Sequence, residues 1–301
     1  MTKIRSTDDS RIQDRRGQRG GGFSIPGLGR GGSLPIPGGR AGGGGLIGLI
    51  VIAAVILLPR LLGGDGGTNL ITPGDAQDAA VDNDESCQSE AEQIVCGANE
   101  DVQDYWERAY PQAFGQPYDD TELVLFSDGT NTGCGAASSQ TGPFYCPADG
   151  LVYIDLVFLD QLQSDFGAPG DLATAYIIAH EFGHHVQNLT GQNAVVQQAS
   201  GETRRLMGVA LELQADCYAG AWVRDADERR NAAGEDLIDQ GELSEALEAA
   251  AAVGDDRIQQ QTQGRVDSDT FTHGSSEQRE GWFRRGYETG DPLQCDTFAE
   301  L

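Results

Sequence analysis

The chain has 301 residues and a formal net charge of −27 at pH 7, and this length allows one sizeable domain or two small ones. The charge is unevenly spread, because residues 1–40 carry Lys3 and seven arginines against three aspartates, whereas the chain after Arg60 is strongly acidic. Binding to nucleic-acid phosphates needs a basic surface, so no nucleic-acid partner is expected for the acidic part.

Residues 1–41 are predicted to be a disordered, basic, cytoplasmic arm. They are rich in glycine, arginine and proline, and few large apolar side chains precede Leu46. Such a stretch cannot bury enough apolar surface to offset the entropy that folding removes. The folded part of the chain is therefore expected further on.

A continuous apolar run follows the arm at residues 46–58. With its flanking glycines and two further leucines it reaches the lower end of a membrane-spanning length, so residues 42–62 are predicted to be a transmembrane anchor. A cleaved signal peptide is the alternative, but its basic region would be unusually long, and Pro59-Arg60 stands where small residues would be needed. The basic flank predicts a single-pass protein of the cell membrane, with the N-terminus in the cytoplasm and the remainder outside.

The cysteines agree with an outside location. Residues 63–85 are small, polar and acidic, which predicts a linker, and the folded domain is expected at residues 86–301. An even number of cysteines confined to this side suggests disulfide bonds. Spacing alone leaves the pairing open, although pairing the first two and the next two would leave the last two for each other. All six lie after the apolar run: Cys87, Cys96, Cys134, Cys146, Cys217 and Cys295.

Periodic apolar positions beyond residue 86 predict several helices and a small sheet. Ser275 and Gln278 are spaced as a capping box at the start of the last helix. This balance indicates an α+β fold that is mainly helical. The predicted strands are 123–126 and 151–154, and the predicted helices are 101–110, 171–189, 202–225, 242–260 and 275–287.

The predicted helix 171–189 contains the motif H-E-x-x-H, formed by His180, Glu181 and His184. Positions i and i+4 share one face of a helix, so both imidazoles can point at the same metal ion. Glu181 lies one step round the helix, where it can approach a water on that metal without binding the metal itself. His185 points away from this face and is expected to be a surface or core residue.

The next predicted helix supplies the missing carboxylate. A catalytic zinc takes three protein ligands and leaves one position open, and Glu212 can complete a His2Glu set. Asp216, one turn further on, can accept a hydrogen bond from the free N–H of a ligating histidine and so fix the orientation of its ring. The sequence therefore predicts a Zn2+ site made by His180, His184 and Glu212.

His273, the fourth histidine of the chain, precedes the last predicted helix. In a zinc peptidase, a donor opposite the metal can stabilise the oxyanion of the tetrahedral intermediate. His273 is a candidate for this catalytic role, and a structural loop histidine is the alternative.

These motifs together resemble the bacterial neutral zinc metallopeptidase family, whose members are membrane-anchored proteins with a short basic N-terminus. The resemblance covers nearly the whole chain and implies a zincin-like fold with a glutamate as third zinc ligand. It also implies His180, His184 and Glu212 as ligands and Glu181 as the base. The blocks that carry it are residues 14–17, 133–135, 142–147, 180–187, 212–220, 272–274, 278–279, 282–283 and 290–295.

The predicted function is the hydrolysis of peptide bonds in a peptide or protein substrate by metal-activated water, with Glu181 as general base. Residues 152–154 are expected to form a sheet edge on which an extended peptide adds as a further strand. One alternative is a non-catalytic, zinc-stabilised binding or assembly module of the envelope, which would not need Glu181. Another is a zinc amidase that acts on cell-wall peptides.

Overall fold

A computed structural model of the chain describes most of the predicted domain and the first residues of the predicted arm. The predicted anchor at 42–62 and the predicted linker at 63–85 lie outside the described residues, as does the arm beyond residue 17. Within the described part, none of the helices combines the length and the apolar character that crossing a membrane requires. The described residues are 2–17, 86–159, 170–231, 233–239 and 241–301.

The described part is mainly helical, with a four-stranded and a two-stranded sheet, in agreement with the predicted α+β class. The helices are α1 (Glu90–Phe114), α2 (Asp171–Leu189), α3 (Gln192–Gln198), α4 (Gly201–Asp227), α5 (Glu242–Ala252), α6 (Asp255–Gln263) and α7 (Ser276–Thr289). The strands are β1 (Ile12–Asp14), β2 (Leu123–Phe126), β3 (Gly129–Thr132), β4 (Gly135–Ser138), β5 (Phe144–Cys146) and β6 (Leu151–Asp155).

The larger sheet has the strand order β1-β2-β6-β5. The first three of these strands are parallel to one another, and β5 runs antiparallel to β6. β6 contains residues 152–154 and is internal, hydrogen-bonded on both sides. The prediction that these residues form an edge for peptide binding is therefore wrong, because β5, a strand too short to show a periodic pattern, occupies that edge.

The structure differs from the predicted disordered arm at residues 2–17, which pack on the domain. β1 pairs with β2 in the register Ile12 to Leu123, and Ile4 and Ile12 are buried in the main core. Basic side chains of this segment meet the acidic domain, including Arg5 with Asp171 at 2.9 Å. The prediction used the average composition of residues 1–41. The glycines of this arm begin only at Gly17, so the average does not represent residues 2–17.

The alternation of side chains along the strands divides the core in two. Leu123 and Leu125 of β2 face the helices, with α2 packed between α1 and α4. Val124 and Phe126 face the opposite way and form a smaller cluster with Tyr153. The sheet is therefore covered on both faces, and α2 is buried along most of its length.

Local signals explain where the helices begin and end. Ser89 and Glu92 form a capping box at the start of α1, and the predicted capping box of Ser275 and Gln278 starts α7. The predicted helix 242–260 is interrupted, because Gly254 adopts an extended conformation between α5 and α6.

Three disulfide bonds link the six cysteines. The first two cysteines in the chain pair with each other, as do the next two and the last two. Two are local: one ties the segment before α1 to Cys96 within α1, and one joins the β3–β4 hairpin to β5. The third ties α4 to the C-terminal segment. The pairs are Cys87–Cys96, Cys134–Cys146 and Cys217–Cys295.

Candidate metal centre

The three predicted zinc ligands converge on one point between α2 and α4. His180 Nε2 lies 3.3 Å from one carboxylate oxygen of Glu212, and His184 Nε2 lies 3.6 Å from the other. If one donor atom is taken from each of the three residues, all three atoms lie within 4.8 Å of one another. Two nitrogens and one carboxylate that face a common centre form a donor set typical of catalytic zinc.

The close approach of the two helices brings these donors together. Gly183 lies between the two histidines and faces Ala215 of α4. A Cβ atom at position 183 would lie 2.8 Å from the Ala215 Cα atom, closer than packed atoms tolerate. A glycine at this position lets the helix backbones approach until Glu212 reaches both imidazoles.

Each of the two converging histidines is held from behind by a hydrogen bond on its Nδ1 atom. His180 Nδ1 lies 2.8 Å from Asp216 Oδ1, and His184 Nδ1 lies 2.9 Å from Gln187 Oε1. An acceptor at Nδ1 requires the proton there and leaves Nε2 as the lone-pair donor toward the metal. The prediction placed Asp216 behind a ligating histidine, and the structure identifies the histidine as His180.

His180 and Glu212 are buried and His184 is partly buried, and the charges of the three residues influence one another. Burial alone would raise the pKa of Glu212, but the nearby imidazoles of His184 and His180 lower it to about 2. Burial opposes the charged form of His180, whereas Asp216 raises the pKa of His180 to about 9. Glu212 therefore favours its charged form, which is the form that binds a metal ion.

Two of the converging atoms, His180 Nε2 and Glu212 Oε2, are buried 3.3 Å apart, and neither makes a hydrogen bond within the described residues. Buried polar atoms are nearly always satisfied, so such a pair marks a site for a missing partner. A divalent cation between them would satisfy both at once. The residues present therefore fit zinc, which accepts nitrogen and carboxylate donors in this combination.

Glu181 lies beside the site and is fully buried. Neither of its carboxylate oxygens has a hydrogen-bond partner among the described residues. Burial raises the pKa of Glu181, while the nearby His184 and His180 oppose this rise. The main-chain N–H of Tyr145 in β5 faces the carboxylate and also opposes the rise in its pKa. Glu181 is thus a carboxylate free to exchange a proton.

His273 lies in the loop before α7, on the Glu212 side of the site. Its imidazole contributes to lowering the pKa of Glu212, and the following Gly274 packs against Leu213 of α4. Asp255 orients the ring, with its Oδ1 atom 3.0 Å from His273 Nδ1. The buried Nε2 atom has no partner within the described part of the chain.

His185 is a buried structural residue, one of the two positions predicted for it. Its Nε2 atom lies 2.7 Å from the Asp119 carbonyl oxygen, and its Nδ1 atom lies 3.1 Å from the Tyr145 hydroxyl. Burial lowers its pKa. His185 therefore connects α2 to β5, the strand whose backbone passes Glu181.

Sequence reasoning missed Tyr176, Asp255 and Arg279. Tyr176 donates to Asp216 Oδ1 at 2.5 Å, and the Arg279 guanidinium binds both oxygens of Asp216. No spacing rule connects residues on separate helices, and Arg279 lies 63 positions after Asp216. The only available signal was the presence of Arg279 in one of the motif blocks.

Comparisons with known proteins agree with this geometry. A family model described as "Putative neutral zinc metallopeptidase" matches residues 1–298. The chain is 41% identical over 302 residues to the uncharacterised protein YpfJ of Escherichia coli K12, with 97% of each chain covered. It is 50% identical over 188 residues to the uncharacterised proteins Mb2605 of Mycobacterium bovis and Rv2575 of Mycobacterium tuberculosis, covering 60% of this chain and 64% of each relative. No solved structure matches the chain.

Proposed function

The chain belongs to the neutral zinc metallopeptidase family, and from this membership we propose that it is a zinc-dependent peptidase with Glu181 as general base. The observation that carries the proposal is Glu181 itself, whose buried carboxylate makes no hydrogen bond with the described residues and lies beside the converged donors. A purely structural metal site needs no such group. A buried carboxylate without a partner is costly to keep, which favours a chemical role.

Zinc bound by His180, His184 and Glu212 would polarise the scissile carbonyl and lower the pKa of water to about 7. Glu181 accepts a proton from the attacking water and passes it to the nitrogen of the leaving amine. The water oxygen first bonds to the carbonyl carbon, which gives a tetrahedral oxyanion. The C–N bond then breaks as the nitrogen takes the proton, and the products are a carboxylic acid and an amine. The raised pKa of Glu181 suits a group that must both accept and release this proton.

His273 acts as the hydrogen-bond donor to the carbonyl oxygen while that oxygen gains negative charge. The Asp255 carboxylate at Nδ1 requires a proton on that nitrogen. Nε2 can therefore donate to the carbonyl oxygen only when it carries the second ring proton. The negative charge of Asp255 then compensates the positive charge of the imidazolium ring. Asp255 thus acts through His273 and does not touch the substrate.

The substrate is proposed to be a peptide or protein in an extended conformation. Among the described residues, no strand pairs with the outer edge of β5, and the Tyr145 backbone in this strand passes the Glu181 carboxylate. A peptide that lies along this edge would use main-chain hydrogen bonds for affinity and would bring a carbonyl group to the base.

Attachment to the cell membrane through residues 42–62 stays a prediction from the apolar run alone. Three disulfide bonds support a location of the domain outside the cytoplasm, since such bonds persist in oxidising compartments. The proposal is therefore a peptidase of the cell envelope.

The decisive experiment measures peptide-library hydrolysis by the full chain in detergent, loaded with zinc, beside its Glu181→Gln variant. The full chain is needed because residues 2–17 contribute to the core. The variant should keep its zinc and lose activity by at least about 10²- to 10⁴-fold, the usual contribution of a general base. Glu202→Gln is a matched control, since Glu202 is exposed on α4, and it should cleave like the parent.

The alternatives correspond to distinct results. Zinc bound to both proteins without cleavage by either would reject the peptidase and favour a non-catalytic envelope module. Cleavage confined to cell-wall peptides would favour the amidase. Removal of zinc by a chelator should abolish cleavage, and added zinc should restore it.

A further inference from the structure

A single arginine lies behind the metal-binding helix pair, and its burial requires an explanation. Arg279 of α7 is 1% exposed. Removing a guanidinium from water costs several kcal/mol unless its donors are satisfied. Arg279 Nε lies 2.7 Å from Asp216 Oδ2, Nη2 lies 2.9 Å from Asp216 Oδ1, and Nη1 donates to the Val253 carbonyl oxygen at 3.2 Å. Most of its donor capacity is therefore directed at one carboxylate.

The carboxylate that Arg279 binds is the one that holds His180. Asp216 Oδ1 accepts from the Tyr176 hydroxyl, from Arg279 Nη2 and from His180 Nδ1, and Oδ2 accepts from Arg279 Nε. A bidentate guanidinium fixes the plane of a carboxylate as well as its position. Rotation of the Asp216 carboxylate, which would turn the His180 ring, is thereby prevented.

The backbone contact of α4 with α7 makes this arrangement rigid. The two helices cross at a pair of glycines, Gly220 on α4 and Gly286 on α7. A Cβ atom at Gly220 would collide with the Phe283 carbonyl oxygen, and one at Gly286 would collide with the Cys217 carbonyl oxygen. The Cα atom of Arg279 is therefore fixed relative to that of Asp216, independently of any metal.

The two histidines are supported differently. His184 is held by the neutral amide of Gln187, which in turn donates to the Leu211 carbonyl oxygen at 2.7 Å. His180 is held by a charged carboxylate that needs its own cationic partner. This asymmetry makes the orientation of His180, and not that of His184, dependent on α7.

We propose that Arg279 is a positioning residue of the zinc site: by fixing Asp216 it holds the His180 imidazole with Nε2 directed at the metal. The inference rests on the proposed function, since it concerns the same site. Tyr176 has a lesser part in the same arrangement, as the third donor to Asp216. Arg279 touches neither the metal nor the substrate.

The test measures zinc dissociation constants, by competition with a chromogenic chelator, for the full chain and four variants. Arg279→Met should weaken zinc binding by about 10- to 100-fold, the usual effect of losing an outer partner of a ligand. Arg279→Lys keeps the charge without the bidentate geometry and should fall between the parent and Arg279→Met. Tyr176→Phe should lose less than Arg279→Met.

Arg284→Met is the matched control. Arg284 lies on the same helix, is half exposed, and pairs with Glu280. Its zinc affinity should equal that of the parent, because an exposed ion pair contributes little and this one does not reach the site.

Folding of the metal-free variants is followed by circular dichroism and thermal unfolding, which separates a positioning role from a purely structural one. A folded Arg279→Met variant with parental zinc affinity would overturn the inference. If Arg279→Met does not fold, the other two variants decide the question. Zinc affinity equal to that of the parent in both Arg279→Lys and Tyr176→Phe would overturn the positioning role. A parent that binds no zinc would instead reject the proposed function, and this inference with it.

Discussion

His273 and Asp255 form a pair whose geometry suggests a catalytic role at a distance from the three ligands. We expect His273→Gln to lower kcat by about 10²- to 10³-fold, because a donor to the developing oxyanion is lost. Asp255→Asn should lower kcat less, since the ring remains and only its orientation and charge compensation are weakened. Zinc affinity should stay at the parental value in both variants, because neither residue is among the converged donors.

Steady-state kinetics and chelator competition on the same preparations provide the check. An unchanged kcat for His273→Gln would assign this histidine to the loop structure alone. A fall in zinc affinity that parallels the fall in kcat would show that His273 supports the metal and not the oxyanion.

The residues that sequence reasoning could identify are those related by helical spacing. His180 and His184 share a face of α2 because they are four positions apart, and Glu212 and Asp216 share a face of α4 for the same reason. Arg279 reaches Asp216 only because α7 folds back onto α4, which no local pattern encodes. The sequence therefore predicted the three donors and Asp216 behind one of them, but not Tyr176 and Arg279, which hold Asp216.

At the scale of elements, the contact of α2 with α4 determines whether the donors can converge. A Cβ atom at position 183 would lie 2.8 Å from the Ala215 Cα atom and 3.0 Å from its Cβ atom. Gly183→Ala should therefore separate the helices, lower the free energy of unfolding by about 1–3 kcal/mol and weaken zinc binding. Denaturant unfolding of the metal-free protein and zinc competition measure the two effects separately.

Gly281→Ala in α7 is the control, because a Cβ atom there would meet nothing within 4 Å. This substitution should stabilise the protein by about 0.4–1 kcal/mol, since alanine restricts the unfolded chain. If Gly183→Ala has the same stability and zinc affinity as Gly281→Ala, then α2 and α4 can accommodate the added methyl group, which would contradict the prediction.

The prediction was best for the two helices that carry the site. For α1 it covered only residues 101–110, and the helix predicted at 242–260 is two helices. The structure gives α2 the predicted bounds, 171–189, because apolar periodicity over nineteen residues is a strong signal. The three residues of β5 and of β1 are too few to show alternation, and each is a strand only because β6 or β2 lies beside it. The edge strand that faces the site was missed for this reason.

Glu92 at the start of α1 makes the attachment of the N-terminal segment sensitive to acid. Burial raises the pKa of Glu92. The Ser89 main-chain N–H and the Arg16 guanidinium together lower it by more than burial raises it, so the pKa lies below the ordinary value of 4.5. A depressed pKa in the folded state stabilises the protein above pH 4.5, and this contribution is lost as the pH falls through the lowered value. The excess stability of the parent over Glu92→Gln should therefore shrink below about pH 4.5.

Denaturant unfolding of both proteins between pH 7 and pH 3 measures this difference. Glu90→Gln is a suitable comparison, because the Glu90 side chain is 66% exposed and its ion pair with Arg5 should contribute less than about 1 kcal/mol. A stability difference between the parent and Glu92→Gln that does not change with pH would exclude this role of Glu92.

At the scale of the whole molecule, residues 2–17 are part of the folded domain. Their backbone extends the sheet, with the Leu123 amide donating to the Arg11 carbonyl oxygen at 3.0 Å and the Arg15 amide donating to the Leu125 carbonyl oxygen at 2.8 Å. Gly97 lets α1 approach the Arg5 backbone closely. The segment is basic and the domain is acidic, and the sequence indicated no contact between them. In the structure these opposite charges face each other across one interface.

This interface bears on the predicted membrane topology. A single crossing at residues 42–62 would place residues 2–17 and the domain on opposite sides of the membrane, whereas parts of one packed body lie on the same side. We therefore expect both flanks of the apolar run to share a compartment. Ser10 and Gln198 are exposed in the segment and in α3, and either can be replaced by cysteine, because all six native cysteines are paired.

Labelling of intact cells with a membrane-impermeant maleimide compares the Ser10→Cys and Gln198→Cys variants directly. Both should react to the same extent before lysis if the domain is outside, and neither should react if it is inside. Reaction of Gln198→Cys alone would show that the segment is held across the membrane from the domain. In that case β1 would be absent from the sheet in the cell, the Leu123 edge of β2 would be open, and Ile4 and Ile12 would have to be buried elsewhere.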